Sequence, residues 1–185
     1  MPKNLRANIE LGAQIAIAIA VLVVAGVVVK RFLFARPANR TSLAQQEQML
    51  MGTRMNLPNT AWEQNKKTIV FFLSKDCVYC KMSAPFYRQL IEEASKRNLK
   101  WLAILPNSVE EGRKYVQSLE LPIENVQTAS LSSYNVSVTP TVVVVDNQGL
   151  VKGVWMGASP SREKEMRDAL VALLDAKPST APLTK

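Results

Sequence analysis

The sequence predicts an α/β fold, a central mixed β-sheet flanked by helices and preceded by a single N-terminal transmembrane helix. Three observations predict it. Nearly continuous apolar runs recur at 67–74, 101–105 and 141–146. They are the length of strands and too apolar for a sheet with one wet face. Segments with apolar residues at three- and four-residue spacing follow them, the signature of helices with one buried face. Ahead of all of these lies Leu11–Val29, "LGAQIAIAIAVLVVAGVVV", which carries no charge.

Nineteen residues of helix reach about 28 Å, close to the hydrocarbon thickness of about 30 Å. A buried core helix of this length would carry a polar face. A cleaved signal peptide would have a shorter apolar part and a small-x-small cleavage site, and "KRFLFAR" follows here instead. The reading is an uncleaved anchor over 11–29, after a flank at 1–10 and before a juxtamembrane linker at 30–60. Within that linker a short helix is expected around 43–51. The folded domain is expected over 61–176 and a disordered tail over 177–185.

The formal net charge of +8 invites a nucleic-acid partner. Half of the excess lies in the first 36 residues, beside the anchor, where anionic headgroups account for it. In the remainder basic and acidic side chains are mixed, so no dedicated nucleic-acid patch is expected. Lys30, Arg31, Arg36 and Arg40 outnumber Lys3 and Arg6, which taken alone favours a cytoplasmic C-terminal domain. The chemistry below argues for the opposite, extracytoplasmic side.

"KTIVFFLS" (67–74) reads as a strand buried on both faces. Met82, Phe86, Leu90, Ile91 and Ala94 then mark a helix, and "WLAIL" (101–105) a second strand. Ser108 and Glu111 form a capping box that opens a helix to about Leu119. "TVVVVD" (141–146) is a third strand, and "DNQG" turns it into "LVKGVWM", an antiparallel hairpin partner. Met166, Leu170, Leu173 and Leu174 mark a last helix. The order is β-α-β-α-β-β-α, with the early strands parallel through right-handed crossovers and helices expected on both faces.

Both cysteines lie in "SKDCVYCKMSAPF" (74–86), where the first strand gives way to a helix. At a helix N-terminus the free N–H groups and the macrodipole favour a thiolate at Cys77. Cys80, one turn on, is placed to attack a mixed disulfide formed there. A zinc site needs four ligands, and the chain offers two cysteines and no histidine. A Cys-His nucleophile is excluded on the same ground, and copper delivery would want a histidine or methionine ligand beside the pair. A structural disulfide closing so small a loop would stabilise little.

"CVYCKMSAP" resembles the active-site helix of the thioredoxin superfamily, in which the C-x-x-C pair is followed by a lysine and then a helix-kinking proline, here Pro85. "SVTPTVVVVDNQG" (137–149) resembles that superfamily's cis-proline loop. The resemblance implies a thioredoxin-like fold over about 60–176, with Thr139 and Pro140 facing the cysteines and pairing with an extended substrate peptide beside Val78 and Tyr79. It implies no cofactor, since the electrons reside in the dithiol. The anchor makes the chain most similar to membrane-tethered thioredoxin-like proteins of the bacterial envelope, the group that includes cytochrome c maturation reductases. The expected function is thus a thiol:disulfide oxidoreductase acting on protein thiols and disulfides, as a reductase fed by a membrane electron donor, with its domain in the periplasm. Asp76 replaces the usual tryptophan, and Phe71 stands where thioredoxin keeps a buried acid. These departures support the alternative, a non-catalytic binding or chaperone subunit of an envelope complex. Tyr79 echoes glutaredoxin without the segment that binds glutathione. Ser74 echoes the hydroxyl of a peroxiredoxin, without the proline expected at Val70.

Overall fold

The computed structural model describes residues 42–58, 60–94, 97 and 99–175. The expected flank, anchor and tail lie outside the described residues. Among the described residues no helix is long and apolar enough to cross a membrane. Five strands form one sheet in the order β3-β2-β1-β4-β5: β1 (Lys67–Phe72), β2 (Leu99–Leu105), β3 (Asn125–Thr128), β4 (Thr141–Asp146) and β5 (Val151–Met156). β1 runs parallel to β2, and β2 to β3. β4 is antiparallel to both β1 and β5. Strand β1 sits at the centre and is buried from Thr68 to Phe72, which accounts for its unbroken apolar run.

The helices are α1 (Leu43–Leu50), α2 (Val78–Met82), α3 (Ala84–Ala94), α4 (Val109–Ser118) and α5 (Pro160–Asp175). The Ser108–Glu111 capping box opens α4, with Ser108 Oγ accepting from the Glu111 N–H at 3.3 Å. A second such box, Ser42 with Gln45, opens α1. Pro160 occupies the first position of α5, where its missing N–H costs nothing.

Three readings are corrected. β3 was not expected: "NVQT" is short, polar at all but Val126 and buried only there, so no periodicity marks it. Helices lie against both faces, as expected, with those between the strands together on one of them. The chain steps from β1 to β2 to β3 in one direction, so right-handed crossovers put α3 and α4 on the same side. Their side chains Tyr87, Leu90, Tyr115 and Val116 share one core with Phe71, Val142 and, from α5, Met166 and Leu170. The opposite face is covered by residues assigned to the linker: Leu50, Met55 and Leu57 are buried against Val70, Phe72, Val143 and Val154. The folded unit therefore begins at Ser42, not at 61. Lastly, Met82 points outward and is 67% exposed, while Ala84 and Tyr87 take the buried face of that helical segment.

The β4–β5 turn uses Gly149 at φ 78°, a left-handed conformation that costs glycine little. The Asp146 carboxylate accepts from the N–H groups of Gln148 and Leu150, each at 2.9 Å, and so holds the turn.

Candidate active site

β1 delivers the chain to the C-terminal edge of the sheet, where a tight turn (Cys77 N–H to Ser74 C=O, 3.1 Å) leads into α2. Cys77 is the N-cap residue, and its sulfur accepts the N–H of Cys80 at 3.3 Å. This is a capping contact made by sulfur in place of the usual oxygen. Cys77 is half-buried and Cys80 is fully buried, and both are free thiols.

The proline at 85 has no N–H to continue the helical ladder, and the helix breaks two residues earlier, at Ser83. The Ser83 N–H still reaches the Tyr79 carbonyl at 3.0 Å, and the Tyr87 N–H reaches the Ser83 carbonyl at 3.0 Å. The two helices thus run on as one kinked rod beneath the cysteines.

Loop 137–140 approaches from the far side of β1. The Thr139–Pro140 peptide bond is cis. The Thr139 carbonyl lies 3.1 Å from Cys77 Sγ and accepts its S–H, and Pro140 is buried behind it. Tertiary packing thus brings together Cys77, Cys80 and Thr139. Val78 and Tyr79 stand outward on α2, 66% and 58% exposed. A groove of about 530 Å³ runs between Tyr79, Val138, Thr139, Met156, Arg162 and Leu43. Leu43 belongs to α1, so the segment expected as a linker forms one wall.

The two thiols are electrostatically unlike. Burial by itself would push Cys77 up. The Thr139 side chain, the Cys80 thiol and the N–H groups of Cys80 and Tyr79 outweigh it and hold Cys77 below the ordinary thiol range. Burial pushes Cys80 up to about 12, and the neighbouring Cys77 adds to this. A thiolate in this pair therefore resides on the outer sulfur.

Phe71 is fully buried, with its ring 5.1 Å from that of Tyr87 and 6.0 Å from that of Trp101. An aromatic stack thus fills the position of thioredoxin's acid. Ser74 Oγ accepts the Asp76 N–H at 3.3 Å. Sequence reasoning passed over Ser83, Tyr87 and Glu163. Ser83 and Tyr87 share the buried face of the helix with Cys80, and their three- and seven-residue offsets from it could have shown this. Glu163 arrives from the last helix, and no spacing could have placed it. Among the described residues no group of three or more His, Cys, Asp or Glu side chains is set to hold a metal ion.

Solved structures with this fold include a thiol:disulfide interchange protein from Bacteroides sp. (TM-score 0.52, 14% identity, covering 70% of this chain and 88% of that one). Another is the thioredoxin domain of a thiol-disulfide oxidoreductase from Bacteroides vulgatus (0.51, 14%, 61% and 82%). A third, from Chlorobium tepidum, is described as a candidate thiol:disulfide interchange protein DsbE (0.51, 19%, 60% and 82%). At these identities the likeness establishes the thioredoxin-like fold. No curated protein sequence matches the chain. A family model, described as the AhpC/TSA family, matches residues 36–154. With most of its length inside that match, the chain belongs to the AhpC/TSA family.

Proposed function

We propose that this protein is a membrane-anchored thiol:disulfide oxidoreductase that exchanges disulfides with protein substrates through Cys77 and Cys80, working as a reductase. The observation that carries this is the asymmetry of the pair. The outer, half-buried sulfur is held below the ordinary thiol range beside the Thr139 carbonyl, and the inner one is buried with its proton firmly held. The Cys77 thiolate attacks one sulfur of a substrate disulfide. A Cys77–substrate bond forms, and the other substrate sulfur leaves with the electron pair and takes up a proton. Cys80, once deprotonated, attacks Cys77 Sγ. The Cys77–Cys80 disulfide forms and the second substrate thiol departs. The substrate is reduced by two electrons and the pair is oxidised by two. Thr139, Pro140, Val78 and Tyr79 shape the place where the substrate chain lies. No cofactor takes part, and a membrane electron donor re-reduces the pair. The 11–29 anchor holds the domain on the extracytoplasmic side.

The test is the equilibrium potential of the pair, measured by thiol trapping in defined redox buffers. A value near about −270 mV fits a reductase with a dedicated electron supply, whereas one near about −120 mV makes the protein a disulfide donor. The rival reading, a non-catalytic binding subunit, draws on Phe71 and Asp76. It requires that the Cys77→Ser, Cys80→Ser double variant keep full function and that the pair fail to cycle.

A further inference from the structure

Leu43, Gln46, Glu47 and Leu50 of α1 fall at the i, i+3, i+4 and i+7 positions that share one face of a helix. That face is turned to the domain. Leu50 is 5% exposed. Gln46 accepts a hydrogen bond from the Ser137 hydroxyl, in the loop that ends at Pro140. Glu47 accepts the Met156 N–H and pairs with Arg162. Leu43 is the outermost of the four, 39% exposed. It overhangs the groove rather than the core. A Cβ on Gly157 would stand 3.7 Å from Leu43 Cδ1, and the Gly157 N–H donates to the Pro140 carbonyl at 2.8 Å. The first residue of α1 thus meets the loop that faces the cysteines.

The groove opens at the reacting sulfur, because Thr139 both lines it and lies against Cys77 Sγ. Arg162 reaches the groove wall already held between Glu47 and Glu165. Ser159 Oγ is likewise engaged, 3.0 Å from Ser161 Oγ. What is left to meet an occupant is the hydrocarbon of Leu43, Val138 and Met156 and the ring of Tyr79. A charged occupant would lose water there and gain no counter-charge, whereas an aliphatic one gains by leaving water. Building on the exchange reaction, we propose that this end of the groove is a subsite for one aliphatic side chain of the substrate, close to its disulfide, and that Leu43 sets the preference for it. An extended chain turns every second side chain to the same side, so the residue two places from the attacked cysteine arrives roughly 7 Å from it on the same face. Leu43 touches neither sulfur and acts on specificity alone.

The test offers the reduced full chain, in mild detergent, peptides whose one cysteine carries a coloured aromatic thiol as a mixed disulfide. Each peptide has leucine or serine two residues before or two residues after that cysteine. Release of the coloured thiolate gives a second-order rate constant for each. For the wild type, leucine is expected to exceed serine about ten-fold at one of the two positions. Leu43→Ser should cut that ratio to about three-fold or less, and Leu43→Met should keep most of it. Both peptides meet the same preparation, so any loss of folded protein cancels from the ratio. Wild-type ratios within about two-fold of unity at both positions overturn the subsite while the exchange reaction stands. A preference that survives Leu43→Ser undiminished overturns the part given to α1. If no peptide releases its thiolate, the exchange reading itself falls, and the subsite with it.

Discussion

At the residue scale the site rests on two sulfurs of the same chemical type in different surroundings. Cys77 sits where N–H groups and side chains outweigh burial, and Cys80 where the Ser74 N–H and the Thr139 side chain do not. Alkylation of Cys77 should therefore follow a titration below that of a free thiol, usually about 8.5. Cys80 in a Cys77→Ser variant should stay unreactive well above it. Mass spectrometry of iodoacetamide adducts against pH checks both. The linkage has a definite sign. The folded-state pKa of Cys80 is raised to about 12, so its contribution to stability is full below the unfolded value and fades as pH climbs toward the folded one. Between about pH 9 and about pH 11 the wild type should lose more stability than Cys80→Ala, as read by urea denaturation at each pH. For Cys77 the sign reverses, and its contribution is lost as pH falls through its depressed value.

At the scale of elements, α1 and β5 hold each other. The Glu47 carboxylate accepts the edge-strand N–H of Met156 at 2.6 Å and pairs with Arg162 of α5. That N–H would otherwise remain unpaired beneath the helix. Glu47→Ala leaves the Met156 N–H without its acceptor and Arg162 with Glu165 alone, and should cost about 1–3 kcal/mol, measured by urea unfolding. Gly153, in β5, is a closer fit. A Cβ there would come within 2.6 Å of the Trp155 ring and 3.0 Å of Leu173 Cδ1. A rigid indole gives way poorly, so Gly153→Ala should destabilise by about 1–3 kcal/mol, seen as a lower thermal midpoint.

For the whole molecule the sheet has two apolar faces, and one of them depends on a segment that looks like a tether. Leu50, Met55 and Leu57 are 5%, 4% and 7% exposed, and burying each contributes about 1.5–3 kcal/mol. A chain that starts at residue 42 should fold cooperatively. One that starts at 61 should expose Val70, Val143 and Val154, bind a hydrophobic dye and aggregate. Circular dichroism and light scattering on the two truncations check this.

What was legible in the sequence follows from range. β1, β2, β4 and β5 declare themselves through apolar runs that local sterics and burial make strand-like. The α4 capping box is complete within four residues. The Cys77–Cys80 spacing at a strand-to-helix junction singles out the candidate pair with no tertiary information. Contacts far apart in the chain could only be settled by folding. Thr139 meets Cys77 across 62 residues, Ser83 meets Glu163 across 80, and Glu47 meets Arg162 across 115. Nothing in a local pattern encodes such distances, because they depend on crossover handedness and strand order. The same is true of the residues before 61, whose polar composition suggests solvent until the open face of the sheet is there to receive them. By itself, then, the sequence determined the fold class and singled out the candidate cysteine pair, both of which are local. The tertiary structure decided which sulfur holds the charge and where the domain begins, because each depends on burial among segments remote in sequence.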